Sequence, residues 1–244
     1  MTTSATPGTE VYDDFSGKEL DSKRWSFLEF PQPDAEPFVC SDPSALTELL
    51  DGGVRIHIER FETSHPVQIM DNCKYVLLST ADFPLPERGQ IVFEADIAAR
   101  NINAAARDYR DGFASFVLVD MTTGFVFDLC TSSDAVFAID ERLPVPQVEQ
   151  PYTRIIEDPL ADVTAGPDRT VHARITIDTA TRSVCWEADD ATIFQTTVSE
   201  LPATLKIGLG IFTLHPGTGN ASSSLRGQGI SAVWRNIRVT TQAD

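Results

Sequence analysis

The feature that most constrains this chain is a period-two alternation of apolar and polar residues in short runs. Such a run places every second side chain on one face of an extended strand, as in half-buried antiparallel β-strands. Gly, Pro, Asp and Asn bound the runs, and no long helical stripe competes with them. About ten short strands predict a sandwich or barrel. The predicted strands are Gly53–Arg60, Tyr75–Ala81, Gln90–Ala98, Phe113–Met121, Gly124–Thr131, Asp134–Ile139, Val171–Asp178, Ser183–Ala188, Leu205–Phe212 and Ile230–Thr240.

Turn-forming residues predict how some strands connect. Met121–Gly124 and Asp178–Arg182 separate apolar runs and predict hairpins, since Asp and Thr side chains bond their own backbone in turns. Helical turns are expected at Asp42–Leu50, where Asp42 can cap and Pro43 can take the first helical position, and at Ile102–Tyr109.

The chain shows no tandem repeat, low-complexity linker or break in composition. We therefore expect one domain over residues 1–244, with residues 1–10 disordered. Leu143–Gly166, rich in prolines and acids, predicts a long irregular loop with one short strand at Tyr152–Glu157. A loop of this length in a compact fold is usually a lid or a partner surface.

Charge excludes several classes of partner. The 36 acidic residues outnumber the 19 basic ones, for a net charge of −17, and the bases are scattered singly. Nucleic acids and anionic membranes need clustered Lys and Arg, so we expect neither as a partner. No stretch has the length and hydrophobicity of a membrane span, and the first ten residues lack the pattern of a signal peptide. These observations predict a soluble cytoplasmic protein.

Metal and cofactor motifs are also missing from the sequence. Cys40, Cys73, Cys130 and Cys185 lie far apart, without the spacing of a zinc site, and are expected to be free, mostly buried thiols. No Gly-rich phosphate loop precedes a predicted helix. We expect neither a metal nor a cofactor.

Five segments follow one another in an order that resembles a known family. They are Asp13–Gly17 (DDFSG), Leu20–Trp25, Arg88–Ile97 (RGQIVFEADI), Arg174–Asp190 and Trp234–Val239 (WRNIRV). The order is similar to that of concanavalin A-like jelly rolls, in particular the family 16 glycoside hydrolases. The resemblance implies an all-β concanavalin A-like jelly-roll β-sandwich of two antiparallel sheets over nearly the whole chain.

The family's catalytic strand is resembled by Gly124–Thr131 (GFVFDLCT). With its central Asp aligned on Asp128, the nucleophile position holds Val126 and the acid/base position holds Cys130 or Thr131. A retaining glycosidase needs two carboxylates about 5 Å apart, and neither position supplies one. The resemblance therefore implies a fold without ordinary family 16 hydrolysis.

The same resemblance implies which side chains line the groove. Asp128 is the candidate catalytic residue, as a general acid, hydrogen-bond donor or orienting group; an Asp that only completes the sheet is the equally weighted alternative. Glu94 and Asp96 would bind substrate hydroxyls or a cation; the structural alternatives are cross-strand pairing with arginines or a place on a solvated face. The expected substrate-binding residues are Phe38, Met70, Tyr75, Glu94, Asp96, Val126, Cys130, Gly210 and Phe212, and Cys40 is expected beside Phe38.

Three functional hypotheses follow. An apolar groove with one polarising acid suits a cofactor-independent cyclase of secondary metabolism, acting on a polyketide or macrolactone, with a pericyclic cycloaddition as one form. The alternative is a non-hydrolytic carbohydrate-binding protein of the glucanase-like fold. A purely structural protein has no specific feature in its favour. We expect an apolar small-molecule substrate, and a homo-oligomer is one way to cover the edge strands.

Overall fold

The computed structural model describes residues 8–32, 35–61, 72–213 and 227–243, and nearly all of its regular structure is β-strand. One 3₁₀ helix spans Tyr109–Asp111. The strands are β1 Gly8–Asp13, β2 Trp25–Phe27, β3 Glu29–Gln32, β4 Ala35–Val39, β5 Leu46–Leu50, β6 Gly53–Ile58, β7 Asn72–Ser79, β8 Phe83–Pro84, β9 Gly89–Ile102, β10 Phe113–Asp120, β11 Phe125–Thr131, β12 Val136–Arg142, β13 Tyr152–Ile156, β14 Thr170–Asp178, β15 Ser183–Ala188, β16 Ala191–Thr197, β17 Thr204–Thr213 and β18 Gly229–Ala243.

Two large antiparallel sheets form the sandwich. The first sheet has the order β16-β15-β14-β9-β18-β6-β5, with β1 also paired to β18. The second has the order β13-β12-β11-β10-β17-β7-β2, with β8 paired to β17, and β3 and β4 form a separate hairpin. This arrangement confirms the predicted jelly-roll sandwich. The homo-oligomer that would cover its edge strands stays a prediction.

The core lies between the two sheets, as the alternation predicts. On β14, Val171, Ala173 and Ile175 are buried, whereas the intervening His172 and Arg174 are partly exposed. Apolar side chains from both inner faces join one cluster. Burial of this apolar surface is the main force that holds the sheets together.

Asp42–Leu50 and Ile102–Tyr109 do not form the predicted helical turns. Asp42 accepts hydrogen bonds from the backbone and hydroxyl of Ser44, which closes a turn, and β5 then pairs with β6. Pairing along this sheet edge satisfies the backbone groups that a helix would have used. Residues 105–108 form turns ahead of the 3₁₀ helix, and Asp111 accepts a 2.6 Å hydrogen bond from the Ala105 backbone.

Two other expectations have different outcomes. Residues 8–10, expected to be disordered, belong to β1, which pairs with β18; residues 1–7 lie outside the described residues. The short strand expected at Tyr152–Glu157 is confirmed as β13, paired with β12.

The cysteines correct the prediction of four free thiols. Cys40 is disulfide-bonded, while Cys130 and Cys185 are free. The side chain of Cys73 lies outside the described residues. The described part of the chain has no helix that is long and apolar enough to cross a membrane.

Candidate functional site

We call the side of the second sheet that faces away from the core the groove face. Alternation along β11 sends Phe125, Phe127 and Leu129 into the core. Val126, Asp128 and Cys130 therefore lie together on the groove face, where Val126 and Cys130 join a second apolar cluster.

This second cluster fills the groove face with the protein's own side chains. Leu28 and Cys40 flank the β3–β4 hairpin and belong to the cluster, and the partly buried Phe30 and Phe38 of the hairpin pack against it. The space that remains beside Val126, Asp128 and Phe212 is a cavity of about 30 Å³. Ligand pockets typically measure about 300 to 1,000 Å³, whereas one water needs only about 10 to 15 Å³. The described groove face is closed to a molecule larger than a few waters.

Phe212 and Gly210 meet on this face. A Cβ atom at Gly210 would overlap the ring of Phe212, so the ring lies against the glycine backbone. The ring also stacks on Phe113, with 5.5 Å between ring centres. A side chain at position 210 would therefore force the Phe212 ring to move.

Asp128 and Glu141 are the acidic residues that line the small cavity on this face, and they are 2% and 3% exposed. Asp128 pairs with Ile139 across the β11–β12 ladder, so Glu141 is its diagonal neighbour. Glu141 accepts a 2.5 Å hydrogen bond from Thr153 Oγ1. The sequence analysis missed Glu141 because the predicted strand ended at Ile139; extending its alternation by two residues would have found it.

Ser115 is a second residue that the sequence analysis missed. It faces the same side as Phe113 and Val117 and is fully buried, and its Oγ has no hydrogen-bond partner among the described residues. Its neighbours on the adjacent strands are Cys130 and Gly210. A polar residue at an apolar position of a predicted strand was the available signal.

Three further candidates have different placements. Phe38 packs against the groove-face cluster, as expected for a wall residue. Tyr75 instead belongs to the core cluster, and its hydroxyl lies 2.7 Å from Thr47 Oγ1. The prediction that Tyr75 lines the groove is therefore wrong. On β7 the alternate residues Val76 and Leu78 lie on the groove face, and Tyr75 lies on the opposite face. Met70 lies outside the described residues.

Glu94 and Asp96 lie on the first sheet, on the face directed away from the core, and do not share a surface with Asp128. Arg174 Nε donates a 3.0 Å hydrogen bond to Glu94. His172 Nδ1 lies 2.8 Å from Asp96 Oδ1, and Asn236 donates to the other oxygen at 2.5 Å. Their assignment to the Asp128 groove is therefore corrected in favour of cross-strand pairing, because β9 pairs with β14.

The outer face of the first sheet carries a polar depression of about 690 Å³, formed by β9, β14, β15, β16 and β18. Arg174 is its cation, flanked across the ladders by Glu94 and Glu187. Asp178 is a further carboxylate there, and the backbone N–H of Thr181 lowers its pKa. The uncharged polar side chains include those of Gln90, Thr176, Ser183, Gln195, Thr240 and Gln242.

Cys185 is one of the residues that line the polar depression. Partial burial, followed by the nearby charge of Glu187, raises the pKa of its thiol. A protonated thiol is a weak nucleophile, so the residue contributes a small, soft contact surface at neutral pH.

Comparison with family models gives a match over residues 12–243 to DUF6081, described as a family of unknown function. The chain belongs to DUF6081. None of the curated proteins matches it.

Solved structures show the fold of this DUF6081 chain. An endo-1,3-β-glucanase from Streptomyces sioyaensis is 13% identical, with a TM-score of 0.59 over 99% of this chain and 97% of that chain. The laminarinase catalytic domain of Thermotoga maritima is 11% identical, with a TM-score of 0.55 over 99% and 98%. A β-glucanase of Bacillus licheniformis is 13% identical, with a TM-score of 0.53 over 99% and 100%. The DUF6081 chain therefore has the concanavalin A-like jelly roll that the sequence resemblance implies.

Proposed function

We propose that this DUF6081 protein is a non-hydrolytic carbohydrate-binding protein, and that its ligand lies in the polar depression. The observation that carries the proposal is the depression itself, in which amides and hydroxyls from five neighbouring strands are presented side by side. Sugar hydroxyls need donors and acceptors at short spacing, which these groups supply. Its volume of about 690 Å³ lies in the range of small-ligand sites.

The charges of the depression restrict the class of glycan. Glu94, Asp178 and Glu187 face Arg174, whose guanidinium is already bonded to Glu94 at 3.0 Å. The local charge is negative, so uronic or sulfated chains are repelled. We expect neutral or amine-bearing oligosaccharides to bind.

The proposed protein does not hydrolyse its ligand, because the acidic residues of the groove face are not accessible to one. Asp128 and Glu141 are buried on the groove face, where they line a cavity of about 30 Å³. A glycosidase needs its two carboxylates on either side of an accessible glycosidic bond. The same small cavity gives no support to the cyclase hypothesis, because a polyene or macrolactone needs a space at least tenfold larger.

The proposal also favours an oxidising compartment over the cytoplasm expected from the sequence. Cys40 is disulfide-bonded, and structural disulfides persist mainly outside the reducing cytosol. Polysaccharides are available as ligands in such compartments.

Cys185 provides a direct test of ligand position. The purified protein is treated with a maleimide at about pH 9, where a larger share of thiol is ionised. Neutral β-glucan and glucosamine oligosaccharides should slow labelling, and a sulfated galactan should not. The Cys185→Ser variant identifies the signal that belongs to this thiol. Unchanged labelling with every neutral or amino sugar would contradict the proposal.

Titration calorimetry on variants of the polar depression tests which side chains contact the glycan. Gln195→Ala and Thr176→Ala remove polar groups of the depression and should each weaken binding by roughly fivefold to tenfold. Ser231→Ala is the matched control, since Ser231 lies on the same sheet outside this depression. Equal affinity for all three variants would place the ligand elsewhere.

A further inference from the structure

We propose that the groove face contains a second, covered ligand site for a small apolar molecule that carries one hydroxyl group, such as a phenol. Ser115 would bind the hydroxyl, and the ring of Phe212 would be the movable cover. This site lies on the opposite sheet from the polar depression, so the proposal does not depend on the proposed function.

The hydroxyl of Ser115 is the first observation. The residue is 0% exposed, and within the described residues its Oγ neither donates nor accepts a hydrogen bond. Native structures rarely leave a buried polar group unsatisfied, because its hydration has been lost without replacement. A ligand hydroxyl can either donate to Oγ or accept from it, and so supplies the hydrogen bond that burial removed.

The surroundings of Ser115 define the rest of the ligand. Phe113 and Val117 flank it on β10, and Cys130 and Gly210 lie opposite on the adjacent strands. These neighbours are apolar. Asp128 is an acidic residue on the diagonal of the β10–β11 ladder. A ligand at Ser115 therefore needs an apolar body and a single polar group.

Phe212 is positioned to cover this site. Its ring lies against Gly210, which pairs directly with Ser115 across the β10–β17 ladder. Phe212 is 5% exposed, whereas its stacking partner Phe113 is 0% exposed, so Phe212 has the more direct path to solvent. Moving the ring uncovers a flat backbone floor at Gly210. A cavity of about 150 Å³ with apolar walls is enough for benzene.

The test compares phenol with toluene, which has nearly the same size but no hydroxyl. Ligand-observed NMR and thermal shift are measured for the wild type, Ser115→Ala and Phe212→Ala. The wild type should bind phenol roughly tenfold more tightly than toluene, and Ser115→Ala should bind the two equally. Phe212→Ala should bind both more tightly because the cover is gone. Equal wild-type affinities, or binding of neither molecule even to Phe212→Ala, would overturn the proposal.

The ligand-free stability of Ser115→Ala gives a separate readout. If Oγ is unsatisfied without ligand, removing it should leave the unfolding midpoint unchanged or raised. A lowered midpoint would mean that the hydroxyl already has a partner, such as a buried water, and would count against the site. Ser115→Cys, with a similar volume and a weaker donor, repeats the comparison if the alanine variant does not fold.

The two binding proposals fail independently. Phenol should leave maleimide labelling of Cys185 unchanged, and Ser115→Ala should leave glycan affinity unchanged. If phenol binding instead slowed Cys185 labelling, phenol would be bound in the polar depression and the covered site would be rejected.

Discussion

The ring of Phe212 occupies the space that a side chain at Gly210 would need. The two residues lie two positions apart on β17, on the groove face that the resemblance assigned to ligand. Their contact closes this part of the face, and it gives the first testable consequence.

Gly210→Ala should destabilise the protein by about 1 to 3 kcal/mol, because the added methyl group forces the Phe212 ring to move within a packed cluster. Chemical denaturation measures the change. Gly166→Ala is the control: the nearest atom to its Cβ lies 3.5 Å away, so its effect should stay within about 0.5 kcal/mol. Equal effects of the two variants would contradict the described contact.

Two buried tryptophans form a matched pair. Trp234 Nε1 donates a 3.1 Å hydrogen bond to the backbone carbonyl of Ser115, whereas Trp186 Nε1 has no partner among the described residues. Both side chains are fully buried. Trp234→Phe should therefore cost about 1 kcal/mol more than Trp186→Phe, since only the first change breaks a hydrogen bond. Urea unfolding midpoints compare them, and the reverse order would refute the assignment.

All four tyrosines should resist ionisation in the folded protein. Burial is the largest cause that raises the pKa of Tyr12, Tyr75, Tyr109 and Tyr152, and it raises that of Tyr152 to about 12. Unfolded tyrosines ionise near pH 10. The folded state holds the proton more tightly, so stability is lost as pH rises from about 10 towards 12. In ultraviolet titration, tyrosinate should form at a higher pH in the folded protein than in the chain unfolded in guanidinium.

The contributions of Asp140 and Asp178 to folding stability should change with pH in opposite directions. Burial, partly offset by a hydrogen bond from Tyr152, raises the pKa of the Asp140 carboxyl. This group contributes stability at low pH that is lost as pH rises through its unfolded and then its folded pKa. Asp140→Asn should therefore gain stability relative to the wild type as pH rises from about 3 to about 6.

Asp178→Asn is the control for this pH dependence. The pKa of Asp178 is lowered, so its contribution is present above the unfolded pKa and lost as pH falls. This variant should lose stability relative to the wild type over the same rise in pH. Parallel curves for the two variants, from urea unfolding at each pH, would contradict both assignments.

Part of the candidate site could be predicted from the sequence because side chains alternate between the two faces of a strand, a pattern set by neighbouring residues. Val126, Asp128 and Cys130 share the groove face for this reason, as do Gly210 and Phe212. This alternation, however, does not show which face of the strand packs against the core. Tyr75 was assigned to the groove, although β7 presents it to the core.

The separation of Glu94 and Asp96 from Asp128 has a different cause. Sheet membership depends on which distant strands pair, and β9 pairs with β14 and β18 rather than with β10. No local pattern in Gln90–Ala98 records that choice. The same reason explains why Glu94 meets Arg174, which lies 80 residues later in the chain.

Alternation and turn chemistry act within a few residues, so the sequence alone predicts the strands and their two-faced character. The jelly-roll class is implied by the order of five segments that resemble a known family. The tertiary structure decided that both faces of the second sheet are buried. Burial of the groove face requires the β3–β4 hairpin, Leu143 and Phe212 to come together from distant parts of the chain. Only that packing closes the groove and leaves Ser115 without a hydrogen-bond partner among the described residues, while the open polar depression lies on the first sheet.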